Sequence, residues 1–174
     1  GVYRFRPLIV SGDYDMVLLQ PIPSFFRPIF GWSDIFDFII LVPLTFYSVW
    51  FAFSNGLVGN IGNFLIFISL FANSLVLAFS LHLSVCAICI LTTEIDHLVM
   101  FYRDLTNMGR FPTDIYQKEV RYFLTFVVPV VVLITVPAKS LMGTLSFPVI
   151  LLSFVVGGVF LVFSWKFWKY SVAR

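Results

Sequence analysis

Phe38-Ile-Ile-Leu-Val-Pro-Leu-Thr-Phe-Tyr-Ser-Val-Trp-Phe-Ala-Phe-Ser54 opens a run, Phe38 to Thr93, that contains no Asp, Glu, Lys or Arg. A helix needs about 20 residues to cross the hydrocarbon layer of a bilayer, so the run is long enough for two crossings. Its middle, Asn55-Gly-Leu-Val-Gly-Asn-Ile-Gly-Asn63, puts three Gly and three Asn into one short segment, which is turn chemistry. The run reads as a membrane-embedded helical hairpin. Barrel strands would alternate apolar and polar positions, whereas Phe64-Leu-Ile-Phe-Ile-Ser-Leu-Phe71 is apolar nearly all round, as a lipid-bathed helix is.

The remaining composition agrees. Of 174 residues 60% are hydrophobic, 19% aromatic and 11% charged, less than half the charge of an ordinary soluble domain. The net charge of +2 leaves no basic surface for a nucleic-acid backbone. Two further apolar stretches follow: Tyr122 to Ala138, at the short end of the spanning range, and the longer Ser140 to Trp165. The expectation is an all-α polytopic transmembrane bundle with four spans at 36–54, 63–92, 121–138 and 147–166, forming a single transmembrane domain over 1–174. Gly1 is not an initiator Met and residues 1–30 hold four Pro without a long apolar run, so the chain reads as cut from a longer protein rather than as starting with a signal peptide.

Basic residues orient the bundle. Arg4, Arg6 and Arg27 precede the first span; Arg103, Arg110, Lys118 and Arg121 lie between the second and third; Lys166, Lys169 and Arg174 follow the fourth. Ten of the eleven cations sort to one face of an even-span topology, Lys139 being the exception, so the positive-inside bias puts both ends in the cytoplasm. Trp165 and Trp168 beside Lys166 and Lys169 fit an aromatic belt at headgroup level.

Before the first span, Pro7 to Pro21 mixes Leu8, Ile9, Met16, Val17, Leu18 and Leu19 with Asp13 and Asp15. Asp13 or Asp15 is expected to cap a helix of one to two turns carrying Met16 to Leu19, which Pro21 ends. Physics alone leaves two readings: an interfacial helix on the inner leaflet, or a docking surface for a partner.

Ser11-Gly-Asp-Tyr-Asp-Met-Val-Leu-Leu-Gln-Pro21 resembles the small-Gly-x-x-Asp-x-x-Leu-x-x-Pro segment of the membrane subunits of bacterial ABC-2-type transporters. Tyr102 to Pro112 with Gly-Arg-Phe-Pro, Tyr116, Phe126-Val-Val-Pro129, Val136-Pro137 before Gly143, and Trp165-Lys-Phe-Trp-Lys-Tyr-Ser171 are similar to the later pattern of that family, in order. The resemblance implies six spans in the full-length protein, two of them before Gly1. It also implies a bacterial inner-membrane location, a partner in a cytoplasmic ABC ATPase subunit, and a second permease copy or paralogue with which to share a pore. It makes the segment with Gly12, Asp13, Asp15, Leu18, Leu19 and Pro21 the ATPase-coupling helix. Ala138 to Phe147, with Pro137, Lys139 and Gly143, becomes an outer re-entrant segment where Pro137 and Pro148 break helices.

Smaller features have sharp and plain readings. Cys86-Ala-Ile-Cys89 could relay electrons as a CxxC, but no third Cys completes a relay, and two thiols at helical spacing read as packing. Glu94, Asp96 and His97 could hold a metal, but they lie just past the apolar run with no further ligand cluster, and they read as a polar helix end. His82 is the one ionisable residue inside an apolar span, expected to be neutral and bonded across helices. Asn73, Ser74, Ser80 and Ser84 form a polar stripe, and Ser153 with Gly157 forms a small-xxx-small face. No catalytic residue, metal or cofactor is expected, and no Walker-type loop occurs, so ATP hydrolysis belongs to another subunit. The competing function classes are a polytopic scaffold or receptor without transport and a membrane redox enzyme. A neighbouring reading frame with a Walker A motif would favour the transporter.

Overall fold

The computed structural model describes residues 5–30, 35–56, 60–92, 100, 103–104, 107–108 and 115–173, and all regular structure among them is helical. Glu94, Asp96, His97 and the Gly109 to Pro112 motif lie outside the described residues. Three short helices come first: α1 Phe5–Val10, α2 Asp13–Leu18 and α3 Phe26–Phe30. Then come α4 Ile35–Ser54, α5 Ile61–Leu91, α6 Lys118–Phe126, a π-helical turn at Val131–Thr135 running into α7 Val136–Leu141, and α8 Phe147–Val172.

α5 and α8 are long and apolar enough to cross a membrane. With 31 and 26 residues they extend roughly 46 and 39 Å, more than the hydrocarbon layer requires. α5 begins where the Asn/Gly turn predicts: the Asn60 side chain accepts from the Asn63 N–H at 2.9 Å, satisfying a donor that the first helical turn leaves open. α8 begins with Pro148 in its first turn, where a missing N–H costs nothing, and continues past residue 166 through the basic, aromatic tail.

The two long helices are parallel neighbours. Asn63 lies against Gly143, Asn73 against Ser153 and Gly157, Leu77 packs with Val156, and Cys86 shares a cluster with Trp168, so both numberings advance together. Gly157 permits the close approach, because a Cβ there would collide with the Asn73 amide. Asn73 Nδ2 donates to the Ser153 carbonyl at 2.9 Å, closing the joint with a polar bond. The chain between α5 and α8 must therefore travel back to the end from which α5 started.

That return is not the straight third span expected over 121–138. α6 and the helical run 131–141 meet at 81°. The sequence is apolar throughout, but Pro129 has no N–H to continue α6. Pro137, expected to break a helix, instead stands in the first turn of α7, and the turn before it is widened so that Val136 N–H reaches Val131 O. Widening moves the Leu133 carbonyl, which a proline ring four residues on would strike, and so lets the helix pass through Pro137.

Candidate functional site

The Pro-bounded segment before the first long helix folds as an elbow. Gly12 takes φ 78°, a left-handed conformation that a side chain disfavours, and this ends α1 and reorients α2 in a single residue. Neither Asp13 nor Asp15 caps α2, contrary to expectation, because Gly12 holds the cap position. Both carboxylates lie in the first turn, where the helix dipole favours them, and Ser11 Oγ donates to Asp13 Oδ2 at 2.7 Å.

α2 has two faces. Tyr14 and Val17, one helical turn apart, are buried; Gly12, Asp13, Asp15, Met16, Leu18, Leu19 and Pro21 are exposed, Leu19 to 82%. The buried face docks on the late turns of α5 and α8, in a core that holds Phe5, Leu83, Cys86, Cys89 and Trp168. Phe5 meets Tyr14 edge-on at 5.0 Å, and Phe25 meets Phe79 and Trp165 at 5.9 and 5.4 Å. Two bonds converge on Ser24: Tyr14 Oη donates to its carbonyl at 3.2 Å, and Trp168 Nε1 donates to its hydroxyl at 3.0 Å. Burial, and after it the Cys86 thiol, push the Tyr14 phenol well above its ordinary value, so it remains a neutral donor. Trp168 is 2% exposed and so does not belong to the aromatic belt; Trp165 fits that place better, half-open with the Lys169 ammonium 5.5 Å from its ring.

Gly12, Asp13, Asp15, Leu18, Leu19 and Pro21, expected to form the coupling segment, are thus all exposed, while the residues that anchor it (Phe5, Tyr14, Val17, Ser24, Phe25 and Trp168) were not expected in that role. The signal available in sequence was the spacing of Tyr14 and Val17, which is one helical face.

At the opposite end of α5 and α8, Pro137 is buried, Lys139 is half-buried and Gly143 is exposed at φ 71° beside Asn63. Lys139 lines a cavity between α6, α7 and the start of α8 that Arg121 also lines. Sequence had placed these two cations on opposite sides of the membrane; the 81° bend brings them to one hollow.

The polar stripe of α5 is mostly internal. Ser74, Ser80 and Ser84 donate to carbonyls one turn back, and His82 Nδ1 bonds the Ala78 carbonyl of its own helix at 2.7 Å. Asn73 bonds directly across to the last helix, and Ser74 Oγ also reaches the Val132 carbonyl at 3.5 Å. Cys86 and Cys89 are free thiols sealed under the elbow, as packing residues are. Among the described residues no group of acids, His and Cys could hold a metal.

Long apolar helices, a parallel α5–α8 pair and an elbow packed on one end define an integral membrane protein of the helical-bundle class. Within that class the chain matches, over residues 1–174, the family described as ABC-2 family transporter protein, and it belongs to that family as a permease-type membrane subunit. No curated protein and no solved structure matches it.

Proposed function

We propose that this chain is the transmembrane subunit of an ATP-driven ABC-2 exporter in a bacterial inner membrane, coupled to a cytoplasmic ATPase through residues 8–21. The supporting observation is the two-faced α2: its inner face is packed with α5 and α8, and its exposed residues include Asp13 and Asp15 in the first turn and Leu18 and Leu19 at its end. A rigid helix docked by buried aromatics can pass displacement to the long helices, where a loop would absorb it. In this reading the chain crosses the bilayer four times, α4, α5 and α8 being three of the crossings and the fourth being completed by the chain between α5 and α8. Both ends are cytoplasmic, and the pore is shared with a second permease copy or paralogue.

Leu18→Asp with Leu19→Asp should bury unpaired charge in the ATPase groove and cost several kcal/mol of association, on the order of 3–5. Asp13→Asn, at the solvated rim, should change it by about 1 kcal/mol or less. Co-purification of the ATPase with the full-length permease and stimulation of its hydrolysis are the measurements. A double variant that inserts, retains the ATPase and stimulates it fully would remove the coupling assignment.

A further inference from the structure

A separate hollow of about 440 Å³ lies on the seam between α5 and the late turns of α8, lined by Phe79, Leu161, Val162, Trp165 and Lys166. The surface it presents is wholly apolar, so Lys166 contributes its methylene stem while the ammonium stands outside. Phe25 of the elbow meets both Phe79 and Trp165 edge-on, which fixes two of the walls in advance of any occupant. Lys169, about one turn past Lys166, carries its ammonium 5.5 Å from the Trp165 ring, and a ring face attracts a cation without neutralising it. Neither lysine has an ion-pair partner among the described residues. From Phe147 at the start of α8 to Lys166 the helix rises roughly 29 Å, about the thickness of the hydrocarbon layer. Lys166 and Lys169 therefore reach headgroup level, while Leu161 and Val162 lie roughly 6 to 8 Å deeper, among acyl chains.

We propose that this hollow is a binding site for an anionic glycerophospholipid, its headgroup at Lys166 and Lys169 and the first part of an acyl chain laid against Phe79, Leu161, Val162 and Trp165. Apolar walls at chain depth and cations at headgroup depth are the two halves of one amphiphile's complement. A small free anion would leave the walls uncovered, and a zwitterionic lipid would fill the hollow but bring its own cation to the lysines. An anionic lipid satisfies both. Trp165 joins the halves, since its ring lines the hollow and also holds the Lys169 ammonium. The inference requires only that the chain reside in a bilayer, so it is independent of ATPase coupling and of transport direction.

The test is lipid retention by the delipidated, detergent-purified full-length protein in native mass spectrometry, titrated with phosphatidylglycerol and phosphatidylcholine of identical chains. Wild type should prefer the anionic lipid by about 5-fold or more, as expected for cations at headgroup level. Lys166→Gln with Lys169→Gln should bring the two lipids within about 2-fold of each other. Lys118→Gln, which lies beside Leu152 near the other end of α8, should preserve the preference. Val162→Trp, filling the hollow, should lower retention of phosphatidylglycerol, whereas Val155→Trp, about two turns away at an exposed position outside the hollow, should not. An indifferent wild type, a double variant like wild type, equal loss in Lys118→Gln, or Val162→Trp and Val155→Trp behaving alike overturns the proposal. So does complete displacement of the lipid by equimolar inorganic phosphate, which would identify a small-anion site. Should the double variant not insert, a photoreactive residue replacing Leu161 in the otherwise native chain, reconstituted in an equimolar mixture of the two lipids, gives the answer. Adducts mainly with phosphatidylglycerol support the site; equal adducts with both lipids, or adducts mainly with a second protein chain, overturn it.

Discussion

Tyr14 and Gly157 each show one atom's worth of chemistry deciding a contact between segments far apart in the chain. Tyr14→Phe keeps the ring against Phe5 but removes the bond to the Ser24 carbonyl, at a cost of about 1 kcal/mol in elbow docking. Hydrogen exchange over residues 13–30 should quicken accordingly. The same substitution tests the protonation argument. Burial raises the phenol above its ordinary value, so its stabilisation is whole below the unfolded tyrosine pKa of about 10 and is lost as pH climbs past it. Thermal unfolding in detergent from neutral to strongly alkaline pH should therefore fall more steeply in wild type than in Tyr14→Phe; parallel curves would contradict this. Gly157→Leu is expected to be harsher, since any Cβ meets the Asn73 amide and overpacking costs about 1–3 kcal/mol. Asn73→Ala loses the bond to Ser153 and should cost less, about 0.6 kcal/mol. A melting point lowered more by Asn73→Ala than by Gly157→Leu would reverse that ranking.

α2 is the element in which sequence and structure divide most clearly. Its existence and its outward residues were legible from the Pro brackets and the acids, because these are local signals. Its inward face was not, because Tyr14 and Val17 are buried in a core built by Phe5 of α1 and the late turns of α5 and α8, and the Trp168 bond that seals Ser24 spans 144 positions. The two faces are separable by experiment. Val17→Asp should lift the elbow and open Cys86 and Cys89 to a maleimide in native membranes, while Leu19→Asp, on the open face, should leave both thiols as protected as in wild type. Equal labelling of the two variants would show that the elbow is not held by its inner face. α6 and α7 carry the same lesson in reverse: Pro129 and Pro137 are visible in the sequence, yet which one bends the chain depends on whether the neighbouring turn can widen, and the turn before Pro137 does.

For the whole molecule, the parallel α5–α8 pair requires the connecting chain to return across the bilayer, which is consistent with the proposed four-span arrangement and its proposed cytoplasmic ends. Single cysteines at Asn60 and Asn107, in a background carrying Cys86→Ala and Cys89→Ala, should label from opposite sides of intact cells; labelling of both from outside would reject that arrangement. The background itself should remain stable, since each thiol removes only a small packing contribution of about 1 kcal/mol or less. The sequence by itself determined the solvent and the elements. The uncharged run from Phe38 to Thr93 has nowhere to be but lipid, and helix lengths follow from apolar lengths, so the boundaries near 35–54, 61–91 and 147–172 were readable within a few residues apart from the longer tail of the last. Only the tertiary structure decided which faces meet. In a bilayer every side of such a helix is apolar, so periodicity no longer marks the core. Close approach at Gly157, the bend at Pro129 and the burial of Trp168 instead settle the packing, and with it the elbow and the groove that Arg121 shares with Lys139.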